Sequence, residues 1–154
     1  MRPITLAQIL TYLGTLPFIY GGFALFGIAP FVERVPFDLS LGLLSYAVVI
    51  LSFIAGIHWG IALQKMETGQ HSGLALKLLL MSNLVALWAW FMWLFSSLLN
   101  SYSLLGLAIG FAIMLLIDWR WLELPAQRPW FWRLRWQASS IAILALTIAG
   151  LSSH

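Results

Sequence analysis

A chain of 154 residues that is 62% hydrophobic and only 8% charged, with mean hydropathy +0.93, carries too few ionic groups to cover a soluble domain. A bilayer accepts this composition because lipid solvates an apolar exterior, so a single transmembrane domain over residues 1–154 is expected. The absence of cysteine excludes disulfides, thiol catalysis and cysteine-ligated metals. The net charge of +3 comes from cations flanking apolar runs, which argues for helix orientation and against a nucleic-acid partner.

The first apolar run spans about residues 6–28. It is longer than the roughly 7–15 residues of a signal-peptide core and reads as an uncleaved anchor. Pro17 marks a kink position within it. Pro30 and Pro36 bracket the first loop, and Asp38 with Ser40 is suited to cap the second span, about 39–63. A polar turn from Lys65 to Gln70 leads to the third span, about 74–98. Asn100-Ser101 forms a tight hairpin into the fourth, about 101–121, whose apolar core is the shortest. Pro125 stops its extension, and Pro129 suits the first turn of the helix carrying the fifth span, about 134–151. The fold class is therefore all-α integral membrane, a bundle of five transmembrane helices.

Lys and Arg fall on one side of this bundle. Arg2, Lys65, Lys77, Arg120, Arg128, Arg133 and Arg135 share it, and Arg34 stands alone on the other. The loops are short, so the positive-inside bias places the N-terminus in the cytoplasm and His154 outside. Trp119, Trp121, Trp130, Trp132 and Trp136 surround the basic fourth loop as an interfacial belt should.

Two small-residue ridges invite close helix approach: Ser52, Gly56 and Gly60 on the second span, Gly106 and Gly110 on the fourth. The two ridges are candidates to pack on each other, and the first also to admit a flat ligand or a partner subunit's helix. His58 points away from the first ridge, since two residues rotate by about 200°. Both faces of the second span then look occupied, which places it centrally. An imidazole at that depth needs a partner. It reads as a structural histidine bonded to a neighbouring group, or as a hydrogen-bond donor to a quinone or lipid headgroup, a proton relay, or an axial haem ligand. Haem is the weakest fit, because the other histidines, His71 and His154, lie in a loop and at the terminus.

Thr15, His58, Asn83, Asp118 and Gln137 map to the same leaflet, with Trp59 beside the histidine. Each of the five either bonds its neighbouring helix or joins a shared polar pocket opening inward. Asp118, next to Arg120, reads as an interfacial carboxylate paired with a nearby arginine, or as the proton acceptor of His58. No catalytic residue and no metal ligand set emerges. The nucleophile-elbow, zincin and phosphate-loop motifs are all missing.

The stretch Ser45 to Gly60, with its Gly-Ile-His-Trp-Gly core at 56–60, resembles the central signature of the Domain of Unknown Function 3429 family. Leu13 to Phe18 and Phe26 to Pro30 resemble it as well, so the similarity covers nearly the whole chain. It implies a small multi-span protein of the bacterial inner membrane, with mitochondrial relatives and a respiratory-membrane setting. It implies no reaction and no cofactor.

Three readings follow. The first is a non-catalytic accessory or assembly subunit of a membrane complex, with a membrane-protein partner or a homo-oligomer. The second is a binding module for a quinone or lipid, using His58, Trp59, Asn83, Asp118, Thr15 and Gln137. The third is a small transporter or channel.

Overall fold

The computed structural model describes residues 3–69 and 72–152. Expectations resting on Arg2, Gln70, His71 and His154 fall outside those residues. Five long helices are each apolar enough to cross a bilayer: α1 (Pro3–Leu25), α2 (Leu39–Glu67), α3 (Ser72–Leu94), α5 (Tyr102–Arg120) and α7 (Pro129–Ser152). Two single α-helical turns, α4 (Ser96–Leu99) and α6 (Leu124–Gln127), and a 3-10 turn (Val32–Arg34) lie between them, and no strand occurs among the described residues.

Local chemistry sets the boundaries. Asp38 caps α2, its Oδ1 accepting the Leu41 N–H at 2.9 Å. That helix runs to Glu67, one turn past the apolar run, because its last turn is a polar extension beyond the hydrocarbon. The third span was expected to continue to 98. Instead α3 stops at Leu94, and Asn100 ends the following turn with φ +48°. Asn tolerates positive φ better than most residues. Pro129 opens α7, as its place in the first turn suggested, several residues ahead of the apolar run, so Arg133 and Arg135 are helical.

Pro17 sits inside α1, which remains one helix around it. A proline removes an N–H and pushes aside carbonyls of the preceding turn. In that turn the Gly14 carbonyl accepts the Tyr46 hydroxyl at 2.8 Å, tying α1 to α2.

The helices alternate in direction, so the C-terminal ends of α2 and α5 and the N-terminal ends of α1, α3 and α7 share one end of the bundle. We call it the basic end, after Lys65, Lys77, Arg120 and Arg128. The main packed pairs are α2 with α3, α5 with α7, and α1 with α7. The innermost helix is α5, not α2 as the two-ridge pattern suggested. Gly110 of α5 lies under Leu51 of α2, where an added Cβ would come to 2.6 Å, and Gly106 lies against Met92 of α3. The Trp88 indole N–H of α3 donates to the Gly106 carbonyl at 2.9 Å, which close approach permits. Gly56 and Gly60 instead face outward with none of the described residues over them, so the two ridges do not meet. In lipid both faces of a helix are apolar, so small residues alone do not reveal which face turns inward.

Candidate functional site

Three ionisable side chains occupy core positions near the basic end. On α2 the inward stripe is Leu51, Ile54, Ala55, His58 and Ala62. On α5 it includes Leu107, Phe111, Met114 and Asp118. On α7 it includes Arg135, Ser139, Ala142 and Leu146. The i, i+3/i+4 recurrence that buries the apolar members carries His58, Asp118 and Arg135 inward with them. Their exposures are 2%, 1% and 8%.

They meet. His58 Nε2 lies 2.8 Å from Asp118 Oδ1, and Arg135 Nε donates to Asp118 Oδ2 at 2.8 Å. The carboxylate thus bridges α2 and α7 with one oxygen each. His58 Nδ1 lies 3.0 Å from the Ile54 carbonyl of its own helix. Arg135 Nη2 also lies 2.7 Å from Oδ2, so two nitrogens of the guanidinium face the same carboxylate oxygen.

Beside this cluster a cleft of about 370 Å³ opens between α1, α2 and α7. Thr15 and Phe18 line it from α1, Ile54 and Ile57 from α2, and Arg135 and Ala138 from α7. Leu10 and Phe53, both exposed, stand at its lip, so it opens on the side of the bundle where lipid would lie. Phe18 and Phe111 form its floor, meeting edge to face with centroids 5.6 Å apart. The walls are apolar and the polar contribution is small: Thr11, Thr15, Ser139 and the buried guanidinium.

The residues singled out in the sequence divide. His58 and Asp118 are bonded to each other, and Thr15 lines the cleft with its hydroxyl donated to the Tyr12 carbonyl at 2.7 Å. Asn83 is exposed on α3 and donates to the Leu79 carbonyl of its own helix. Gln137 is exposed on α7, where its Oε1 accepts the Tyr12 hydroxyl at 2.6 Å. Trp59 is 43% exposed on the outer side of α2. These three do not join the cluster. Asp118 is buried in the bundle, and its arginine is Arg135; Arg120 lies over the Trp119 ring at 5.5 Å. Arg135 was missed because it sits in a run of arginines and tryptophans that reads as an interface. Its signal was positional: Arg135 lies four residues before Ser139 and seven before Ala142, on the small-residue face of α7.

Both ring nitrogens of His58 are engaged, which leaves neither for haem iron. Among the described residues no group of three or more His, Cys, Asp or Glu could hold a metal ion.

The family model described as Protein of unknown function (DUF3429) matches residues 3–151. No curated protein and no solved structure matches the chain. The chain belongs to the DUF3429 family.

Proposed function

We propose that this protein binds a lipophilic ligand whose head carries an acceptor oxygen, a quinone carbonyl or a carboxylate, in the lateral cleft between α1, α2 and α7. The observation that carries this reading is Arg135, a buried guanidinium ion-paired with Asp118, among the residues lining an otherwise apolar cleft. A guanidinium held at the wall of an apolar cleft offers an acceptor oxygen a charge-assisted hydrogen bond, which is stronger than a neutral one. Asp118 and His58 hold the guanidinium in place, and the ligand's tail lies along Leu10, Phe53 and Ile57. The charge bias supports a cytoplasmic basic end, and the family resemblance supports a bacterial inner-membrane setting. The three buried ionisable groups form one cluster at one depth, which supports binding over conduction.

The test is a titration of nanodisc-embedded protein with decylubiquinone and with palmitate, read by calorimetry. Ala138→Phe fills the cleft without touching the charged cluster, and Arg135→Gln removes the charged donor. Saturable binding of either probe that both variants abolish supports the reading. Equal binding in wild type and Ala138→Phe would sink it.

One observation favours a second reading, an accessory subunit of a larger membrane assembly: the open Gly56–Gly60 face of α2. There, Gly56→Leu would leave the purified chain folded and strip a co-purifying membrane subunit. Retention of that subunit would count against it.

A further inference from the structure

At the basic end, a second cavity of about 690 Å³ lies between the end of α2, the start of α3 and the α5–α7 connection. It is separate from the lateral cleft, sharing only the Phe131 ring. Lys65 of α2, Lys77 of α3 and Arg128, just before α7, all line it. The carboxylate lining it is Glu123, so the charge of the lining is net positive. Three cations on three different elements repel one another, and folding has nevertheless brought them to one space. Gln64, Thr68 and Gln127 add neutral polar groups, while Ile61, Leu74, Leu122 and Phe131 give the cavity an apolar wall. The nearby indoles of Trp119 and Trp130, exposed at 51% and 40%, suit the headgroup level of a bilayer.

We infer that this cavity binds the phosphate of an anionic phospholipid, with Lys65, Lys77 and Arg128 on the phosphate and the apolar wall against the glycerol and first acyl carbons. The mixed lining decides for a lipid over a free anion, since a purely ionic site would have no use for Leu74, Leu122 and Phe131 together. Basic cavities between membrane helices at the cytoplasmic side recognise anionic headgroups in this way. Each cation contributes roughly a fivefold factor in affinity, so losing all three costs on the order of a hundredfold.

The experiment is native mass spectrometry of protein released from nanodiscs that contain phosphatidylglycerol and phosphatidylcholine together. The wild type is expected to retain phosphatidylglycerol preferentially. The triple variant Lys65→Gln/Lys77→Gln/Arg128→Gln loses that preference, and Arg120→Gln/Arg133→Gln, which removes cations outside the cavity, keeps it. Lys77→Glu alone, an exposed position that folding tolerates, gives an intermediate loss. A parallel arm adds inorganic phosphate or glycerol 3-phosphate to detergent-purified protein. Thermal protection by these that depends on the same three residues keeps the phosphate site and makes its ligand soluble. Equal lipid retention in all variants, with no protection by free phosphate, overturns the inference.

Discussion

Asp118 touches two partners and is buried against both, so its removal leaves a guanidinium without a counter-ion in the bundle core. Breaking a buried ion pair by deleting one member costs about 3–5 kcal/mol. Asp118→Ala is therefore expected to lower thermal stability in detergent sharply, whereas Arg120→Ala, an exposed residue two positions on, shifts it by about 0.5 kcal/mol or less. Similar losses for the two would contradict the geometry of the cluster. Replacing all three members by apolar residues of similar size should recover much of the stability lost in Asp118→Ala, because the desolvation of three groups disappears with them. The sequence made His58 and Asp118 conspicuous, since each is a polar residue in an apolar run. It hid Arg135, whose neighbours Arg133 and Trp136 are exposed and whose inward turn depends on α7 starting at Pro129.

Helices in this protein are apolar on every side, and that is why their inward faces were hard to read. The ends were legible: Asp38 as a cap, Pro125 and Pro129 as punctuation, and Asn100 as a turn are all local signals. The faces were not, as the two glycine pairs demonstrate. Gly110 is covered by Leu51, so Gly110→Val overpacks the α2–α5 contact and should cost about 1–3 kcal/mol. Gly56→Val meets open space and should leave the fold of the isolated chain nearly unchanged. Thermal unfolding of the two variants in the same detergent compares them directly, and a larger loss at Gly56 would reverse the assignment. The Tyr46–Gly14 hydrogen bond makes a third check on the α1–α2 seam: Tyr46→Phe is expected to cost about 1 kcal/mol and to loosen the wall of the cleft.

At the scale of the whole molecule, five helices, with α5 the shortest and most buried, create a bundle with a lateral gap where α1 leans on α7 more than on α2. That gap is the cleft, and it arises from pairing between distant segments that hydropathy does not encode. The number of spans was legible because length and hydropathy report it directly; which polar residues converge was not, because Asn83 and Gln137 share a depth with His58 but not a face. The cysteine-free chain allows single-cysteine labelling of topology. Met66→Cys and Arg128→Cys should react from the same side of the membrane, the cytoplasmic one, and Glu33→Cys from the other. Labelling of Met66→Cys and Glu33→Cys from one side would contradict the bundle.

The central claim is that the lateral cleft beside Arg135 holds a lipophilic ligand, and the most direct measurement is mass spectrometry of small molecules extracted from gently purified wild type and Ala138→Phe. The account predicts one quinone or acyl species near stoichiometry in the wild type and its loss from the variant, with His58, Asp118 and Arg135 undisturbed. The same species in equal amount from both proteins, or stoichiometric partner subunits with no extractable ligand, would contradict it.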